Sequence, residues 1–306
     1  MKKMCCLSLN FIIIVLALLS LFSVYNYWVI GHETENFTLI VLPDTQKYSE
    51  EYTEIFSNQT RWIVKNQERM NIGYVVHEGD IVDNSEIIDE WEVASAAMKI
   101  LDEANIPYSI APGNHDLAED GSLKNYNNFF GKKRFVNRSW YGGDFNGYAN
   151  NYNLVNIKGR EFIFLNLKVC PSEDEIEFAN RVFQEYPDRF GVLTTHGYLN
   201  KKAERNVYFC NDMTYLWDDL IRKHENLRIV LSGHIHDEAR RVDLNDYGKE
   251  VHQILANYQN SENGGNGFLR IMEFDFGEDL VYIKTFSPYL NEFLTKEDSE
   301  FVISIE

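Results

Sequence analysis

Asp44, Asp80, Asn114, His196 and the pair His234/His236 are the residues of this chain whose types and placement could do chemistry together. Each stands just after an apolar, β-rich run: Phe37–Leu42, Ile72–Val76, Pro107–Ile110, Gly191–Thr194 and Leu227–Leu231. Carboxylate, imidazole and amide oxygen are donors that Mn, Fe, Co and Zn accept. One carboxylate able to bridge, with donors on both sides, makes a two-metal site with ions ~3.5–4 Å apart. Such a pair clamps phosphoryl oxygens and turns a bridging water into hydroxide at neutral pH. The displacement then needs an acid for the departing oxygen, and His115 stands beside Asn114.

The elements that must position these residues alternate. Tyr52, Ile55, Phe56, Ile63 and Met70 recur at helical spacing, as do Ile87, Ile88, Trp91, Ala94, Met98 and Leu101. Glu161–Leu167 reads as a further strand, and Ser172 with Glu175 has the spacing of a capping box opening a helix through Tyr186. Met213–Ile221 reads as helical. From Arg240 the pattern turns all-β, with strands at Arg240–Leu244, Val251–Tyr258, Phe268–Phe276 and Leu280–Thr285. Asn125–Asn153 is aromatic, Gly-rich and loop-like, a candidate rim over the site. In open α/β sheets ligands bind outside the carboxyl ends of strands, so the polar clusters are expected to converge on one edge.

In order, the clusters stand as Asp44-Thr-Gln46, Gly79-Asp80, Gly113-Asn-His-Asp116, His196-Gly197 and Gly233-His-Ile-His236. This set resembles the motifs of the calcineurin-like metallophosphoesterase family, and it runs from Asp44 to His236. The resemblance implies an α/β fold of two packed mixed β-sheets flanked by helices, a four-layer α-β-β-α sandwich over residues 37–306. It implies two divalent or trivalent first-row metal ions (Mn, Fe, Zn or Co). One would be held by Asp44, Gln46, Asp80 and His236, the other by Asp80, Asn114, His196 and His234, with Asp80 bridging. His115 resembles the family's leaving-group acid, with Asp116 orienting it. The departure is Gln46, where the general pattern has His; an amide oxygen is a harder, neutral donor. The activity implied is hydrolysis of a small phosphate mono- or diester. The alternative is an exported binding or adhesion module on the same fold without turnover, and Gln46 is the one feature that points to it.

Other residues carry simpler readings. His77 is expected to fix a loop, and Asp83 and Asn84 to support ligands or cap a helix. His32, His224 and His252 fit no motif. Gly264–Gly267 reads as a hairpin turn, and Trp140 as packing under a loop.

Composition bounds the rest. A chain of 306 residues, 44% hydrophobic, has ample core material. Its net charge of -18 argues against a nucleic-acid groove, which needs a basic footprint. Lys2 and Lys3 precede an uncharged stretch over residues 4–30, long enough to span a bilayer. Tyr25, Tyr27 and Trp28 suit a retained anchor, and Val29/Gly31 a weak cleavage site. Residues 1–31 are thus a signal-anchor or signal peptide. On either reading the remainder is exported, at the cell surface or secreted. Cys5 and Cys6 fall in that segment, whereas Cys170 and Cys210 lie in the exported part, as a disulfide or as two buried thiols.

Overall fold

The computed structural model describes residues 36–306. The N-terminal apolar segment, with Cys5 and Cys6, lies outside the described residues. Among those described, no helix is long and apolar enough to cross a membrane.

The first sheet contains β1 (Phe37–Leu42), β2 (Ile72–His77), β3 (Tyr108–Ile110), β13 (Leu269–Asp275), β14 (Leu280–Ser287), β15 (Glu292–Leu294) and β16 (Glu300–Ser304). Its order is β15-β14-β13-β1-β2-β3, with β16 also beside β14. The second contains β4 (Tyr141–Phe145), β5 (Asn150–Ile157), β6 (Arg160–Leu167), β7 (Phe190–Thr195), β10 (Leu227–Ser232), β11 (Glu238–Leu244) and β12 (Glu250–Ala256). Its order is β11-β12-β10-β7-β6-β5-β4. Both are mixed: β1, β2 and β3 run parallel, as do β6, β7, β10 and β12, while the flanking strands are antiparallel. A small ribbon of β8 (Asn206–Val207) and β9 (Asn211–Asp212) stands apart from them.

Strand alternation builds the layers. In β1, Phe37, Leu39 and Val41 enter the core between the sheets, while Ile40 and Leu42 enter the core under the first helices. In β10, Ile229 and Leu231 face the first sheet, and Leu227 and Val230 face the opposite helices. A strand covered on both faces needs a near-continuous apolar run, here broken by Thr38 in β1 and by Arg228 and Ser232 in β10. Tyr74 and Phe164 stack across the gap with ring centroids 3.8 Å apart. Helices Thr53–Asn66 and Ile88–Glu103 cover the first sheet, and Glu173–Glu185 and Thr214–Asp219 the second. The four-layer arrangement is the one expected. So is the capping box: the Ser172 N–H donates to Glu175 Oε2 at 2.7 Å.

Three local expectations need correction. Asn125–Asn153 is not a loop-like rim, for it holds helices Lys124–Phe130 and Lys132–Phe135, β4 and the start of β5. Tyr126, Phe130, Phe135 and Tyr148 pack into the core under the first helices. The beginning of β5 escaped hydrophobic patterning because Asn150, Asn151 and Asn153 are its buried residues; Asn151 accepts from Asn166 at 2.9 Å. Gly264–Gly267 is not a hairpin, because β12 and β13 belong to different sheets. The turn crosses between them and packs on Tyr48, whose hydroxyl accepts from Gly267 N at 2.9 Å. Ile87 and Ile88, finally, are exposed at the start of their helix instead of lying on its buried stripe.

Candidate metal centre

The carboxyl ends of β1, β2 and β3 in one sheet and of β7 and β10 in the other meet at one edge. The loops leaving them are tied through main chain. Thr45 N–H donates to Asp80 O at 3.2 Å, and Gly233 N–H to His196 O at 2.9 Å. The motif glycines are there for close approach. A Cβ on Gly113 would meet Asp80 Oδ1 at 2.1 Å, and one on Gly233 would meet Asp44 Oδ1 at 2.2 Å. Asp80 itself has φ 48° and His234 φ 66°, left-handed values that cost a non-glycine residue energy.

One donor atom from each of Asp80, His196 and His234 lies within 4.8 Å of the others. Asp80 Oδ1 accepts from His115 N at 2.8 Å, and Oδ2 is 3.0 Å from His196 Nε2, off the hydrogen-bond axis. His196 Nδ1 sits 2.8 Å from the Glu78 carbonyl, which accepts its proton and leaves Nε2 to face the cluster. Asp44 accepts from His234 N at 3.2 Å and from Asn257 Nδ2 at 2.7 Å. The Gln46 Nε2 amide donates to Asp83 Oδ1 at 2.8 Å, which fixes its rotamer. Among the buried side-chain atoms with no hydrogen-bond partner are Gln46 Oε1, Asn114 Oδ1 and His196 Nε2. Leaving such atoms unpaired costs ~1–3 kcal/mol each, so an unexplained orphan calls for a ligand. These three are the atoms with which Gln46, Asn114 and His196 would hold a metal. The donor set fits one.

The electrostatics also ask for positive charge. Burial, offset by His196 and reinforced by Asp80, pushes Asp44 up to about 7. Burial opposes charge on Asp80 as well, yet His196 beside it holds its carboxyl below the usual range. His196 is raised to about 10 despite burial, by the Asp80 and Asp44 carboxylates. Burial, with the charge on His196, lowers His234 to about 4. Glu78 lies alongside with neither carboxyl oxygen bonded, and burial and then the Asp44 charge push it well up.

A family model for the calcineurin-like phosphoesterases matches residues 37–238. The chain belongs to the calcineurin-like phosphoesterases. Its domain is that of a phosphoric ester hydrolase. It is 37% identical over 263 residues to the uncharacterised protein YvnB of Bacillus subtilis. That match takes 84% of this chain and 20% of YvnB, so the chain spans about a fifth of that relative's length. Among solved structures it resembles a dimetal phosphatase from Danio rerio (TM-score 0.57, 13% identity, covering 88% of this chain and 99% of that one). It also resembles the purple acid phosphatase PPD1 of yellow lupin (TM-score 0.57, 12% identity, 89% and 54% covered). A third is GAP50, the anchor in the inner membrane complex of Plasmodium (TM-score 0.53, 10% identity, 89% of each covered). At these identities the likeness is one of fold.

Within this phosphoesterase fold, not every motif residue lies where the resemblance implied. His236 is exposed, outside the tight cluster, with its two ring nitrogens against the Gln259 and Asn260 amides. Asp116 does not orient His115. Its buried carboxylate is taken up by the backbone amides of Gly113 (2.8 Å), Ile81 (2.9 Å) and Val82 (3.3 Å), which pins one motif loop to the next. His115 is oriented instead by Asp83, whose carbonyl lies 2.6 Å from Nδ1. His77 fixes a loop: its Nδ1 accepts from Gly79 N at 3.1 Å, so Nε2 carries the proton donated to Thr45 Oγ1 at 2.9 Å. Asn84 accepts from Glu86 N at 3.0 Å, in the turn before helix Ile88–Glu103. Asn257, Gln259 and Asn260 were missed. They follow β12 as the other clusters follow their strands, and the same positional rule would have found them.

Proposed function

We propose that this chain hydrolyses a small phosphate ester with two first-row metal ions held at the shared sheet edge, outside the cytoplasm. Asp44, Gln46 and Asp80 would hold one ion, and Asp80, Asn114, His196 and His234 the other. His236 would join the first set only by turning its ring away from the Gln259 and Asn260 amides. Bound there, the metals supply Lewis acidity toward phosphoryl oxygen and a water acidic enough to attack at neutral pH. The protein's own residues do the rest. Asp83 holds the His115 ring by its Nδ1 proton, leaving Nε2 to protonate the departing alcohol. The observation that carries the reading is the pair of orphaned buried amide oxygens, Gln46 Oε1 and Asn114 Oδ1, beside the Asp80, His196 and His234 cluster. The exported location rests on the apolar stretch over residues 4–30 and on the Cys170–Cys210 disulfide, a bond that persists in oxidising compartments.

The test is metal content by elemental analysis, together with turnover of nitrophenyl phosphate and bis-nitrophenyl phosphate. About two ions per chain and metal-dependent hydrolysis of at least one ester are expected. Bound metal without turnover of either would leave the non-catalytic module instead. His115→Ala should keep its metal and lose ~10²–10⁴-fold on alkyl esters, with far less loss on nitrophenyl esters, whose leaving groups need no acid. Equal losses on both would remove His115 from the role.

A further inference from the structure

Beside the metal edge, the ribbon of β8 and β9 ends in a tip, Tyr208-Phe209-Cys210. Its base is firmly mounted. Val207 is fully buried in the core of the second sheet. Arg205 donates to the Tyr198 hydroxyl at 2.8 Å, pairs with Asp243 at 2.5 Å and lies over the Trp217 ring at 4.1 Å. Cys210 is bonded to Cys170, which lies in the loop after β6. The ribbon meets the site at Gly197, directly after His196. A Cβ there would lie 3.4 Å from Val207, 3.7 Å from His234 Cδ2 and 3.8 Å from Cys210 Sγ.

On this rigid mount the chain displays two aromatic rings to solvent, Tyr208 at 93% exposure and Phe209 at 48%. A single exposed ring carries no meaning. Here, however, Phe209 stands edge-on to His234 with ring centroids 6.3 Å apart, and His234 is 5.1 Å from His196 in the same manner. Phosphorus bound among those imidazoles therefore has an aromatic surface one ring away.

We propose that Phe209 is the platform for the organic part of the ester, and that the substrate carries a flat, π-conjugated ring on its alcohol. This rests on the hydrolase reading above and deepens it. The disulfide's part is to hold the platform at the distance a phosphate ester spans. An aromatic pair gains from the ring quadrupole as well as from burial, so a flat ring is favoured over a saturated one of like size.

The test uses the metal-loaded protein and two phosphonates that cannot be hydrolysed, 2-phenylethyl and 2-cyclohexylethyl phosphonate, with affinity read by calorimetry. Wild type should bind the phenyl compound more tightly. Phe209→Ala should weaken that binding roughly two- to tenfold and weaken the cyclohexyl compound, which loses burial alone, distinctly less. Phe209→Tyr should restore the preference, and the Cys170→Ser/Cys210→Ser double variant should lose it. Equal affinity for both compounds in wild type, or equal weakening of both in Phe209→Ala, overturns the platform. Turnover of either nitrophenyl phosphate or bis-nitrophenyl phosphate by wild type is measured in parallel. Its presence alongside equal affinities would sink the platform alone, and its absence would sink the hydrolase reading while the phosphonate comparison still decides the platform.

Discussion

Asp80 and Asp102 are both carboxylates withdrawn from water, and the chain treats them in opposite ways. Asp102, near the end of helix Ile88–Glu103, is clamped by Arg134 and Arg138, each at 2.7 Å, with the Tyr108 hydroxyl at 3.2 Å. Guanidinium stays charged at any pH the protein meets, so that carboxylate is permanently neutralised. Asp80 is 1% exposed and has Asp44 and His196 as neighbours. Among the described residues, neither Asp44 nor Asp80 has an Arg or Lys ion pair. The fold can evidently pair a carboxylate with arginine where stability is the outcome. At the metal edge it withholds arginine and tolerates left-handed backbone at Asp80 and His234. A buried carboxylate whose ion pair is an imidazole rather than a guanidinium leaves its site open to a cation that comes from outside.

That contrast can be broken experimentally, and the largest effect should be at Asp80. Asp80→Asn keeps the left-handed backbone, which Asn tolerates, and an oxygen for the His115 N–H, while removing the charge. Both metals and essentially all hydrolysis should be lost, with the fold and melting profile retained. Stoichiometric metal in the purified variant would show that Asp80 bridges nothing.

Asp102→Ala is the mirror experiment. Two guanidiniums are left facing each other in a mostly buried place, so unfolding free energy should fall by ~3–5 kcal/mol in denaturant titration. Metal content and turnover per folded molecule should not change. Lost metal in this variant would mean that the two regions are coupled rather than contrasting. The smallest effect is expected at Asn257, which donates to Asp44 Oδ2 and to the His234 carbonyl without being assigned as a ligand. Asn257→Ala should weaken metal affinity ~10–100-fold, the usual range for a residue that orients a ligand, measured by competition with a chelator. Affinity equal to wild type would reduce Asn257 to a loop-packing role.

Much of this edge was legible in residue order because chemistry and topology coincide in it. Asp44, Asp80, Asn114, His196 and His234 each end an apolar run, and a strand's carboxyl end is where such a fold exposes a ligand. Legibility failed where polar residues do the work of apolar ones. β5 hides its burial in Asn150, which donates to Glu175, in Asn151, which accepts from Asn166, and in Asn153, which donates to Asn151, in place of packed hydrocarbon. It failed also for the partners of Asp116 and His236, whose contacts depend on loops far away in sequence. The His236 ring meets Gln259 and Asn260, and the Asp116 carboxylate meets the amides of Ile81 and Val82.

The layered sandwich was implied by the family resemblance; by itself, the sequence determined the α/β alternation, the chain order of the polar loops, the acidic balance and the two cysteines able to pair. These follow from side-chain type and strand periodicity, which are local properties. Only the tertiary structure decided that Asp83 rather than Asp116 orients His115, that Asn257 braces Asp44, and that an aromatic tip stands beside His234. Each of those depends on which atoms of distant loops come within about 3 Å, or within one ring's width, and that is set by how two sheets pack and where their strands end. Spacing along a chain does not encode such distances. The closure of the two sheets over Tyr74 and Phe164 does.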